Sequence, residues 1–132
     1  VTEDVAAVFR PVADDLASAG HSVRLDPDPS ETHDGRQRAQ LILDGEVLGS
    51  LVVDPTRGMN TALLLLADLT QDFLVGRRQR QDDGTPWPAC VAGHLHPMRI
   101  VYGLDDPVWT CPRDPRINVP IGKHPGRPFD LP

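Results

Sequence analysis

The sequence predicts an α+β protein: a two-layer α-β-β-β-α unit built on an antiparallel sheet, then a small hairpin module and an extended proline-rich tail. Three observations lead there. Two segments with apolar residues at helical spacing enclose a stretch of strand-like residues. That stretch turns on Asp44-Gly45, a dipeptide suited to the positive φ angles of a two-residue hairpin turn. Ten of the fourteen prolines lie at or after residue 86, which opposes long helices and central strands there.

The first helix is expected over residues 3–19. Val5, Val8, Val12 and Leu16 keep the three-to-four spacing, and Phe9 and Ala13 widen the stripe. Thr2 suits the N-cap, and Glu3 and Asp4 suit the positive end of the helix dipole. Pro11 opposes this, because a proline inside a helix costs about 3 kcal/mol or more. It implies a kink or a later start. Gly20 is a natural terminator. Residues 22–26 alternate like a short strand, and DPDPSETHDG (26–35) reads as an exposed loop. Antiparallel strands are expected at 37–43 and 46–53. Residues 60–80 form the second helix, with Leu63, Leu66, Leu69 and Phe73 on one stripe and Leu64, Leu65 and Leu74 broadening it. So wide an apolar surface needs a second contact besides the sheet, either the first helix or the same helix of a homodimer partner.

The chain changes style at QDDGTP (81–86), which divides it into an acidic domain (1–82), a hairpin module (83–122) and a tail (123–132). Phe129 and Leu131 give the tail a means of docking on a neighbour. Residues 1–75 carry 13 acids against 5 arginines, and residues 76–132 carry 6 acids against 8 basic groups. The acidic part repels a phosphate backbone, so nucleic acid is an unfavoured partner. Only GRRQR (76–80) with Arg99, Arg113 and Arg116 would form a basic strip. The longest apolar run, ALLLLA, is far short of the roughly 18 residues that suggest a membrane span. No signal peptide is visible at the start, and a cytoplasmic setting is expected.

Residues 86–114 gather both cysteines, both tryptophans and two of the five histidines. Cys90-Val-Ala-Gly-His94 places a thiol and an imidazole on either side of a turn that Gly93 can take. His96, two residues on, faces the same side as His94 in an extended segment. A hairpin with strands at 98–102 and 108–111 then brings Cys111 back beside Cys90, and Cys111-Pro-Arg-Asp114 makes a second turn. Thiolate and imidazole are the preferred ligands of zinc. A segment this poor in apolar surface gains from a metal what its core does not supply.

The arrangement resembles a zinc ribbon, in which C-x2-C, a hairpin of about 15–20 residues and a second C-x2-C hold one ion. Here the pattern is C-x3-H or C-x5-H, 16 or 14 residues, then C-x2-D. The resemblance implies Cys90 and Cys111 as thiolate ligands, His94 or His96 as the second ligand and Asp114 as the fourth. Trp87 and Trp109 would pack beside the two turns. H-x-H-P followed by W-x-C-P is also similar to the ends of small uncharacterised bacterial proteins.

Other chemistries fit less well. A Cys90–Cys111 disulfide requires an oxidising compartment. A catalytic zinc would keep three ligands and an open position, with Asp114 as base. Deaminase, H-E-x-x-H, G-x-S-x-G and phosphate-loop signatures are absent. His21 and His33 lie in polar segments and read as solvated. Asp26, Asp28, Glu31 and Asp34 lack calcium-loop spacing. The expected function is therefore that of a non-enzymatic accessory module with a structural zinc site, binding another protein. A metal-dependent enzyme comes second and a nucleic-acid module third.

Overall fold

A computed structural model describes residues 5–33, 36–54, 58–80, 86–101 and 107–126. Helix α1 (Val5–Ser18) leads into strands β1 (Val23–His33), β2 (Arg36–Leu43) and β3 (Glu46–Val53), and then helix α2 (Met59–Arg80). Three short strands follow: β4 (Arg99–Ile100), β5 (Val108–Thr110) and β6 (Asn118–Pro120). They form two antiparallel three-stranded sheets, ordered β1-β2-β3 and β4-β5-β6. The fold is mixed α+β, and its first five elements keep the α-β-β-β-α order expected from periodicity.

Pro11 does not delay α1, which runs through it from Val5 to Ser18. Burial explains this. Val8, Phe9, Val12 and Leu16 are all enclosed, and each gains roughly 1.5–3 kcal/mol from leaving water, together more than the proline costs. Gly122, which has no side chain, lies against Pro11. Gly20 terminates the helix at φ 89°. The His21 N–H donates to Leu16 O (3.0 Å) and the Gly20 N–H to Ala17 O (2.9 Å), the paired bonds of a Schellman cap. Thr2, Glu3 and Asp4 lie outside the described residues.

The hairpin turn is as expected, with Asp44 at φ 51° and Gly45 at φ 83°. Register shifts between Leu41 and Ile42, which pair with Gly49 and Val47. The Phe73 ring packs on Gly49, where an added Cβ would stand 2.6 Å from it and would force the ring to shift. β1 corrects an expectation: the proposed loop at 26–35 is strand as far as His33, with an irregularity between Asp28 and His33. The reason lies at the sheet edge. Asp44 N donates to Ser22 O at 2.7 Å, so even-numbered residues of β1 turn their backbone groups toward β2. Pro27, an odd-numbered residue, therefore lacks its N–H on the open side, where no ladder bond is lost.

Leu63, Leu64, Leu66 and Leu74 of α2 are buried, while Leu65 and Val75 are exposed. α2 packs on β3, on α1 and on β4, so α1 supplies the second contact that its wide stripe requires. Buried residues before and after the 81–86 segment belong to one apolar cluster, from Val12, Leu41 and Leu66 to Trp87, Met98 and Trp109. Polar clasps join the two parts. The Gln71 side chain of α2 donates to Met98 O (2.6 Å) and Trp87 O (3.3 Å).

Residues 122–126 are pinned to α1 rather than extended. The Gly122 and His124 N–H groups donate to the Asp15 carboxylate at 2.8 and 2.9 Å, and His124 is buried. Phe129 and Leu131 lie outside the described residues. None of the helices described is long and apolar enough to cross a membrane.

Candidate metal centre

Two turns build the site. In the first, the Ala89–Pro97 bridge closes a loop, the Met98 N–H donates to Pro88 O (2.9 Å), and the Gly93 N–H donates to Cys90 O (2.9 Å). Gly93 holds φ 83° there, the turn expected of it. In the second, Cys111 leaves β5, and its N–H donates to Ile117 O at 3.0 Å. The pairing of β5 with β4 on one side and β6 on the other fixes where that thiol stands. β6 is an edge strand of this sheet, with Val119 turned into the core.

The ligating atoms of Cys90, His94, His96 and Cys111 all lie within 4.8 Å of one another. His94 Nδ1 stands 3.5 Å from Cys90 Sγ and 3.4 Å from Cys111 Sγ, and His96 Nε2 stands 3.8 Å from Cys111 Sγ. A tetrahedral ion with bonds of about 2.3 Å to sulfur and 2.0–2.1 Å to nitrogen needs sulfur–nitrogen separations of about 3.6 Å. The observed edges bracket that value. The four residues could hold a metal ion.

Backbone carbonyls orient the two imidazoles of His96 and His124. His96 Nδ1 lies 3.1 Å from Pro97 O. A carbonyl only accepts, so the proton sits on Nδ1 and Nε2 turns its lone pair toward the cluster. His124, with Nε2 2.6 Å from Ala89 O, holds the backbone beside Cys90. Cys90 and Cys111 are both buried and unbridged, with the His94 nitrogen close to each sulfur.

The structure brings both histidines to the cluster and leaves Asp114 out of it. The Asp114 carboxylate accepts Arg116 Nε (3.0 Å), Arg116 Nη2 (3.1 Å) and the Arg116 backbone N–H (3.1 Å). The guanidinium holds that carboxyl below its ordinary range and in turn keeps Arg116 more firmly protonated. Trp87 and Trp109 pack edge to face with ring centroids 5.3 Å apart, three residues before Cys90 and two before Cys111.

Three polar residues carry weight that the sequence did not announce. Asp15 is almost fully buried and accepts the Trp109 indole N–H at 2.7 Å. Burial raises its carboxyl above the ordinary value against the opposing pull of Gly122, Trp109 and His124. Its signal was an acid three residues after Val12 on the apolar stripe of α1. His124 offered none. His21 is not solvated, since its Nδ1 lies 2.8 Å from Asp44 Oδ2; the side chain of His33 lies outside the described residues. Of the proposed basic strip, Arg77 is engaged by Glu46 (3.1 Å) and Asp44 (3.3 Å), and Arg116 by Asp114.

Comparison with family models, with curated proteins and with solved structures returns no significant match to this chain.

Proposed function

We propose that the protein is a non-enzymatic accessory module whose C-terminal sheet is stabilised by one structural zinc ion on Cys90, His94, His96 and Cys111. The observation that carries this is the convergence of two sulfurs and two imidazole nitrogens within 4.8 Å, at edges suited to a tetrahedron. Four protein donors fill the coordination shell of zinc and leave no position for substrate or water. The open-site enzyme also requires Asp114 as a base, and that carboxylate carries the Arg116 guanidinium. Zinc is the ion favoured by a mixed thiolate and imidazole set. Thiols kept for a metal imply a reducing, cytoplasmic-type setting. A protein partner fits a module of this kind, and Leu95, 99% exposed between the two histidines, offers an apolar contact at its tip.

X-ray absorption at the zinc edge tests the closed site. Two sulfur and two nitrogen scatterers are expected. A shell with three protein donors and an oxygen would move the protein to the enzyme class.

A further inference from the structure

β1 is an edge strand of its sheet, and among the described residues no strand pairs with its outer side. The Asp44 to Ser22 bond sets the phase, so Val23 and Leu25 turn their N–H and C=O groups outward. Beside that edge lies a cavity of about 220 Å³, open to solvent, between Phe9 and Ala13 of α1 and Val23 and Leu25 of β1. Its volume is below the roughly 300 Å³ where small-molecule pockets begin, and it suits one or two aliphatic side chains. Arg10 and Arg24 line it as well. Neither has a carboxylate partner among the described residues. Two of the five arginines in a stretch with 13 acids thus border this edge, Arg10 from α1 and Arg24 from the sheet face opposite Val23 and Leu25.

We propose that the groove between α1 and the open edge of β1 binds an extended acidic segment of a partner protein by strand addition. The segment pairs its backbone with Val23 and Leu25, seats one aliphatic side chain in the cavity and sets carboxylates against Arg10 and Arg24. Strand addition of this kind takes affinity from main-chain bonds and specificity from alternate side chains. Pro27, without an outward N–H, limits the added strand to the start of β1. This inference rests on the reading of the protein as a binding module and names its partner chemistry; it does not depend on the metal.

The test is titration of the ¹⁵N-labelled full chain with the blocked peptide acetyl-Asp-Val-Leu-Val-Glu-Asp-amide and with a counterpart carrying lysine for each acid. The acidic peptide is expected to saturate, to slow amide exchange at Val23 and Leu25, and to bind Arg10→Glu/Arg24→Glu about tenfold or more weakly. Equal binding of both peptides, or no saturation of the acidic one, overturns the proposal. Edge protection that grows with protein concentration alone assigns the edge to a second copy of this chain and overturns it too. Metal content of the same samples separates the two claims. Full zinc with an empty groove refutes the groove and leaves the zinc-stabilised module standing, whereas saturable peptide binding without zinc refutes the zinc site and leaves the groove standing.

Discussion

The buried carboxylate of Asp15 accepts the indole N–H of Trp109 at 2.7 Å, joining α1 to the strand that delivers Cys111 across 94 residues of chain. The same carboxylate takes the N–H groups of Gly122 and His124. Asp15→Ala strands three donors away from water. A loss of at least about 2 kcal/mol is expected, since each orphaned buried polar group costs roughly 1–3 kcal/mol. Urea unfolding of wild type and variant measures it.

Two carboxylates give opposite pH signatures. Burial raises the folded-state value of Asp15. Its stabilising contribution is therefore greatest below the unfolded value of about 3.9 and declines as pH rises through the folded value. At Asp44 burial also opposes the charge, but His21, Ser22 and Arg77 prevail and lower the carboxyl. Its contribution is present above about 3.9 and is lost as pH falls through the folded value. Between about pH 3 and 5, the stability gap from wild type should narrow with rising pH for Asp15→Asn and widen for Asp44→Asn. Urea midpoints across that range check both slopes.

Two glycines at positive φ should respond differently to alanine. Gly20 (φ 89°) has nothing within 4 Å of the added Cβ, so only backbone strain of about 1–2 kcal/mol is expected. At Gly126 (φ 82°) the added Cβ collides with the Ser18 carbonyl and the Ala19 nitrogen. Gly126→Ala should cost more than Gly20→Ala and release the 122–126 segment from α1. Amide exchange at His124 reports the release.

The ligand set separates Asp114 from its neighbours. Asp114→Ala should keep the full metal content, because that side chain holds Arg116 and not the cluster. His94→Ala and His96→Ala should each lose metal to a competing chelator that the wild type resists. Competition with a chromogenic chelator ranks the variants.

Much of this is legible in the sequence. Helical spacing located α1 and α2, the Asp44-Gly45 dipeptide located the hairpin, and one short segment gathered the two thiols and two imidazoles. What stayed hidden depends on neighbours distant in the chain. Pro27 suggested a loop because the sequence does not say which strand lies at an edge. Asp114 suggested a ligand because spacing alone does not show that Arg116 folds back onto it. His124 and Asp15 meet across 109 residues, beyond the reach of any local pattern. The choice between His94 and His96 also needed geometry, and both converge on Cys111.

The most direct test is the metal content of freshly purified, reduced, untagged protein, wild type beside Cys111→Ser. One zinc per chain in the wild type, lost in the variant together with thermal stability, is the expected result. Metal-free wild type with unchanged stability on adding zinc would contradict the account, leaving Cys90, His94, His96 and Cys111 as neighbours brought together by the core alone.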